Sequence, residues 1–500
     1  MPLFCTGLGG FAECRFAEIA IDAFAPITYF YGWKVFGEEM IRMRKNLVSR
    51  RRFLAGAATL SVAPMIIPAS ALGRGGRPAP SGRINVGMIG YGTMAHDNIG
   101  NFFKDERCQV VSVCDVVTEG KNYGYNAERA GGHIPGMNRV NAYYAEKTGK
   151  PEYKGCSTFV DFREMIEKAD VDAVVISVPD HWHCVMGIYA ARKGKHIYGQ
   201  KPLSLCIGQG RALCQAVKET GVTFQTGSQR RSDDYFRMAC EFVRNGRLGP
   251  LDRIEVGIPG GYSTWGKTPD LLTTEPLPQP PPHFANFDLW LGPARERPFI
   301  PALHNPLIWR WNFDYSGGYI TDWGAHFLDI VQWALGKDDS GPVRIDIVSG
   351  EIPPPESVYN TAKAFRFEAV YAEGTRVVVG NDCRLGITFI GKSGKEIFVT
   401  LGKLETKPAT LVREKIRADE IRLFRNAVHE RNFIDCIYSG SRPFTDCEIG
   451  HRSITLAHLA NMAYRLGRKT LKWDPAAERV LDDPEANALQ VAPLRKPWTL

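Results

Sequence analysis

Residues 84–89, Ile-Asn-Val-Gly-Met-Ile, form a short and almost unbroken apolar run that is too brief for a helix and reads as a buried strand. The same texture returns at residues 110–114, 171–178 and 195–198. Residues 159–168 instead carry apolar positions at helical spacing, and a further helix fits between the last two strands. Strands that alternate with helices predict a parallel, doubly wound α/β sheet. On such a sheet, ligands gather at the C-terminal strand ends.

The first strand runs straight into Gly90-Tyr91-Gly92-Thr93-Met94-Ala95, a turn that opens a helix. Gly90 permits the tight turn, Gly92 lets the backbone approach a pyrophosphate, and Ala95 keeps the helix close to the sheet. The second strand ends at Asp115, about twenty-three residues past Gly92, where a dinucleotide-binding fold places the carboxylate that holds the adenosine ribose. The pattern predicts NAD as cofactor, with NADP disfavoured because a carboxylate repels a 2′-phosphate.

Five hundred residues are too many for one core and predict two domains behind the N-terminal segment, residues 83–205 for the dinucleotide and residues 206–500 for the substrate. The net charge of +8 falls to +5 without residues 1–71, and the remaining charges are interspersed, which argues against a nucleic-acid face. Twelve cysteines are spread along the chain without a Cys-x-x-Cys pair, so they read as buried thiols.

Ser49-Arg50-Arg51-Arg52-Phe53-Leu54 precedes a weakly apolar stretch at residues 55–67 and then Ala69-Ser70-Ala71. A charged region, an apolar stretch too short to span a bilayer and a small-x-small site follow here in the order of an export signal. The arginines before Phe-Leu resemble a twin-arginine signal, which exports folded proteins. Residues 1–71 are therefore expected to be a signal region, with the mature chain beginning near Leu72 in the periplasm and the twin-arginine machinery as a partner. Residues 1–42 read as an over-extended start, with Met43 or Met40 as the true one, and residues 72–82 as a Gly/Pro linker.

Farther along come Pro179 with His183 four residues on, Lys201-Pro202, and Gly317-Gly318 followed by Asp322, Gly324, His326 and Asp329. Together with Gly90, Gly92, Ala95 and Asp115, this ordered set resembles the Gfo/Idh/MocA family across residues 83–500. Residues 432–435 and 472–475 resemble its exported bacterial subgroup. The resemblance implies a Rossmann domain joined to an α+β domain with a large, open, mainly antiparallel sheet. It also implies an NAD(P)-dependent sugar oxidoreductase that needs no metal, and a homo-oligomer is expected. One position departs: the family usually has Glu where this chain has Gln200. A Gln lends no negative charge to Lys201, so support for the lysine must come from elsewhere.

Oxidising a sugar hydroxyl requires a hydride acceptor and a group that takes the hydroxyl proton. The resemblance gives Lys201 that place beside the nicotinamide, with His326 assisting proton transfer, Asp322 orienting the substrate hydroxyl, and Pro179 and His183 serving the cofactor. Asp322 and His326 are four apart, which on a helix puts them on one face. A metal site built from His181, His183, Asp322 and His326 is the weaker reading. Gln229 and Arg231 are further candidates to line the site, and Trp290, Trp309 and Trp311 either offer aromatic faces to sugar rings or pack an interface. Two other functions compete: an NAD-dependent glycosidase acting by transient oxidation and elimination, and a non-catalytic sugar- or dinucleotide-binding protein. Retention of Lys201, Asp322 and His326 together argues against the last.

Overall fold

The structure, a computed structural model, describes residues 82–123, 129–262 and 274–500. The expected signal region and linker residues 72–81 lie outside the described residues.

Strands β1 (Ile84–Ile89), β2 (Cys108–Cys114), β3 (Ser157–Phe159), β4 (Ala173–Ile176), β5 (His196–Gly199) and β6 (Phe224–Thr226) pair in parallel in the order β3-β2-β1-β4-β5-β6. Between them run helices α1 (Thr93–Lys104), α2 (His133–Thr148), α3 (Phe162–Lys168), α4 (Asp180–Arg192) and α5 (Ile207–Thr220). Every residue of β4 and all but one of β1 are buried, because helices cover both faces, and this explains their unbroken apolar runs. The strand order reverses between β1 and β4, so the loops leaving these two strands diverge and open a crevice. The sheet runs on past residue 205, where the sequence suggested it would end. Its last strand is three residues long between Gly221 and Gly227, too short to show a periodicity.

The second half opens with α6 (Asp234–Arg244) and β7 (Leu251–Gly257), followed by α7 (Gly318–Asp322) and α8 (Gly324–Leu335). After β8 (Arg344–Glu351), β9 (Ala364–Val370), β10 (Arg376–Gly380), β11 (Gly386–Gly391), β12 (Glu396–Thr400) and β13 (Lys403–Lys407) come α9 (His429–Ser439), α10 (Cys447–Arg465), β14 (Thr470–Asp474) and β15 (Arg479–Val480). The strands form one mixed sheet, β13-β12-β11-β7-β10-β9-β8-β14-β15, antiparallel except where β7 meets β10. Buried and half-buried residues alternate along β9, as one covered face requires. Helices α6, α8 and α10 pack into the same core.

Helix α9 ties the two halves together. Gln225 of β6 donates to the His429 carbonyl at 2.8 Å, and Glu430 accepts from Asn98 at 2.7 Å and Asn101 at 2.8 Å, both on α1. Of the ten described cysteines nine are buried and all are free, as the scattered spacing suggested.

Candidate active site

Four strand ends converge on a cleft of about 710 Å³, a size suited to small molecules. Gly90 follows β1, Asp115 follows β2, Pro179 lies beyond β4 and Lys201 beyond β5, and all four line it. Asp322 and His326 from the second half complete the wall.

The Gly90 turn fits a dinucleotide. Gly90 has φ +83°, and a Cβ there would lie 2.5 Å from the Ser177 carbonyl oxygen, so only glycine lets β1 turn this close to the β4 loop. Gly92 caps α1 without any side-chain acceptor, which leaves the helix N-terminus open to an anion. A Cβ on Gly92 would come 3.2 Å from the Tyr123 ring, so its requirement is space rather than backbone freedom. Ala95 is fully buried in the first turn of α1 and does not line the cleft. Asp115 accepts from the Tyr91 N–H at 2.7 Å and the Val117 N–H at 2.9 Å, which fixes its carboxyl at the turn. Burial raises that carboxyl's pKa against those two bonds. Gly90→Ala is expected to cost about 1–3 kcal/mol in strain and to lower the nicotinamide content of the purified protein. Denaturant midpoints and cofactor released on unfolding check both, and an unchanged content would remove Gly90 from the binding turn.

Lys201 is 10% exposed in its side chain, and its Nζ donates to Asp322 Oδ1 at 2.7 Å and to the Asp322 carbonyl at 3.1 Å. Arg310 Nε lies 3.3 Å from the same Oδ1, and its guanidinium stacks 4.5 Å from the Trp309 ring centroid. Burial alone would raise the Asp322 carboxyl, but Lys201 and then Arg310 hold it well below the usual carboxylate range. Asp322 is therefore ionised and supplies the negative charge that Gln200 lacks. Gln200 itself donates to Asn98 Oδ1 at 2.7 Å, and Asn98 donates to Glu430, so a carboxylate sits one residue removed from the strand-end position, on α9. His326 stands in the first turn of α8, beyond a break at Trp323, yet it shares the cleft with Asp322 at the end of α7. Burial, and then the charges of Lys201 and Arg230, push its imidazole well below its ordinary pKa, so the ring is neutral. Its Nδ1 is buried without a hydrogen-bond partner.

Other candidates fall elsewhere. His183 is buried beneath the cleft, with Nδ1 2.6 Å from the Pro202 carbonyl and Nε2 2.9 Å from the Val178 carbonyl. Burial lowers it to about 4, so the neutral ring donates to one of the two and clamps the loops that follow β4 and β5. His181 faces the Trp290 carbonyl at 3.1 Å, and no cluster of three metal-ligating side chains occurs among the described residues. Gln229 lines the cleft and donates to the Tyr198 hydroxyl at 3.2 Å. Arg231 does not line it: the side chain turns into the core and pairs with Asp329 and Asp338, while its neighbour Arg230 faces the cleft. Trp290 and Trp309 line the cleft, whereas Trp311 is buried against Tyr319. Asp180 and Arg310 escaped the sequence reading. An acid in the first turn of a helix passes for a capping residue, and Arg310 lies in a 3₁₀ turn of three residues, too short to show a periodicity.

Residues 84–228 match the family model described as oxidoreductase family, NAD-binding Rossmann fold, and residues 239–500 match oxidoreductase family, C-terminal alpha/beta domain. Among curated relatives, the myo-inositol 2-dehydrogenase of Thermotoga maritima is 24% identical over 327 residues, 60% of this chain and 80% of that one. A glycosyl hydrolase family 109 protein of Shewanella baltica is 27% identical over 223 residues, 41% of this chain and 44% of that one. The chain spans less than half the length of the first curated relatives it matches. Among solved structures, the WlbA dehydrogenase of Bordetella pertussis, crystallised with NADH and UDP-GlcNAcA, shares the fold with a TM-score of 0.53 at 16% identity, over 78% of this chain and 99% of that one.

Proposed function

Because this chain belongs to the Gfo/Idh/MocA oxidoreductase family, we propose that it is an NAD(P)-dependent enzyme that oxidises a ring hydroxyl of a sugar or glycoside. The observation that carries this reading is the convergence of Lys201, Asp322 and His326 with Gly90, Asp115 and Pro179 on one cleft. When bound, the nicotinamide supplies the hydride acceptor. The chain's own groups do the rest. The resemblance gives Lys201 the proton-accepting place, but its Nζ is already a donor to Asp322 Oδ1 and to the Asp322 carbonyl. Its remaining N–H is left to donate to the substrate oxygen and to stabilise it as the carbonyl forms. Asp322 fixes the lysine's direction, and the neutral His326 ring, whose Nδ1 is unpartnered, takes the hydroxyl proton as the hydride leaves for the nicotinamide. The Asp115 carboxyl at the end of β2 favours NAD over NADP.

The glycosyl hydrolase relative keeps a second reading in view, in which oxidation is transient and a glycosidic substituent is eliminated. Mass spectrometry of products after incubation with a panel of sugars and glycosides separates the readings. A keto-sugar supports the dehydrogenase, a cleaved glycoside supports the hydrolase, and unchanged sugars throughout count against both.

The proposal includes export through the twin-arginine route and a homo-oligomeric state, with the dinucleotide loaded before the folded chain crosses the membrane. Purified protein is then expected to carry NAD(H) through gel filtration and to turn over without added NAD in a closed cycle, the hydride taken from one sugar being returned to the same sugar or to a second one. Cofactor content after denaturation measures the first, and assays with and without added NAD the second. Protein that emerges free of cofactor and needs NAD in every turnover contradicts the closed cycle and leaves the oxidoreductase reading intact.

A further inference from the structure

Three buried carboxyl groups line the cleft, Asp180, Asp322 and Glu430. Glu430 is held by the Asn98 and Asn101 amides, and of the other two the cations in contact serve one. Asp322 Oδ1 has Lys201 at 2.7 Å and Arg310 at 3.3 Å. Asp180, in the first turn of α4 directly after Pro179, lines the same cleft and is 4% exposed. Among the described residues no lysine, arginine or histidine forms an ion pair with it. Its hydrogen bond comes from Ser316, whose Oγ donates to Oδ2 at 2.5 Å.

Two carboxyls in one site of low dielectric do not ionise alike. The one in contact with cations keeps its charge, and the other keeps its proton. Resting on the sugar-oxidoreductase reading above, we propose that Asp180 is a substrate-binding acid: a neutral carboxylic acid that donates its proton as a hydrogen bond to an oxygen of the bound sugar, while ionised Asp322 holds Lys201. Ser316 is a donor to Oδ2, which leaves Oδ1 to carry the proton. The charged and polar groups that act on Asp180 come from every side of the cleft. Burial has the largest effect, Ser316 opposes it, Asp322 adds to it, and Arg310 and Lys201 oppose it, with the carboxyl raised to about 7. An oxygen that can only accept, such as a ring, glycosidic or keto oxygen, is matched by this acid below that pH and mismatched above it.

Infrared difference spectra of the intact protein across pH test the proposal without any sugar. The carbonyl stretch of a protonated carboxylic acid is expected on the acid side of neutrality, fading as pH rises through about 7 and absent from Asp180→Asn. Ser316→Ala removes a bond that favours the charged form, so there the band persists to higher pH; this variant decides the matter if Asp180→Asn does not fold. A wild type without the band, or a band that neither substitution moves, overturns the role of Asp180 while leaving hydride transfer untouched. With the sugar that the product panel identifies, KM is expected to rise roughly 2- to 10-fold across the same pH interval in the wild type and to stay flat in Asp180→Asn, the range that one net hydrogen bond supplies. A wild-type KM that does not change overturns donation to the sugar. Absence of any hydride transfer in the wild type overturns the sugar reading instead.

Discussion

Replacing Lys201 with alanine is expected to lower turnover by about 10²–10⁴-fold, the range of a positioned acid–base group, with nicotinamide content near that of the wild type. The two effects separate because the lysine stands beyond β5, whereas the turn that would hold the pyrophosphate follows β1. Folding survives the loss because Arg310 remains 3.3 Å from Asp322 Oδ1, so the buried carboxylate keeps a cation. His326→Ala is expected to act in the same direction, since its ring shares the cleft with Lys201 and stands on α8 rather than on the Gly90 turn. Steady-state rates and the nicotinamide released from each variant are the measurements. Near-normal turnover in both removes the proposed constellation, and a parallel loss of cofactor moves Lys201 from chemistry to binding.

The largest loss of stability is expected from Arg231→Met. Arg231 is 1% exposed and grips Asp329 twice, at 2.9 Å from Nε and 2.8 Å from Nη2, while Nη2 also reaches Asp338 at 2.7 Å. Asp329 is fully buried and has Ser453 Oγ at 2.7 Å as its other donor. Methionine fills part of the volume but leaves Asp329 as an unpaired buried charge, which costs about 3–5 kcal/mol. The half-exposed Asp338 adds little, because water screens it. Combining Arg231→Met with Asp329→Leu removes the orphaned charge and should recover much of the loss. Chemical denaturation of the single and double variants decides this. A single variant within about 0.5 kcal/mol of wild type, the range of an inconsequential surface change, would show that the ion pair does not hold this core.

What the sequence made legible was what depends on neighbours in the chain. The Gly90 turn, the carboxylate ending β2 and the apolar texture of β1 and β4 are local devices, written in consecutive residues. The spacing of Asp322 and His326 pairs them on one helix face, whereas a break at Trp323 separates their helices and the two reach the cleft from either side of that break. A turn of consecutive polar residues does not reveal which side chain faces inward, so the burial of Arg231 is not legible in it. Asp329, 98 residues away, makes that choice. The support for Lys201 was equally hidden, since Asp322 lies 121 residues farther on, and the carboxylate near Gln200 comes from α9. Asp180 was in plain view beside Pro179, but its significance lies in what does not touch it.

Hydride tracing tests the central claim most directly. Intact protein carrying oxidised nicotinamide is mixed with sugars deuterated at their ring carbons, then denatured, and the released cofactor and sugar are weighed by mass spectrometry. If the cleft oxidises a ring hydroxyl, deuterium passes from one ring carbon to the nicotinamide in wild type and not in Lys201→Ala. A sugar oxidised in a single turnover while the nicotinamide carries no deuterium would contradict the account.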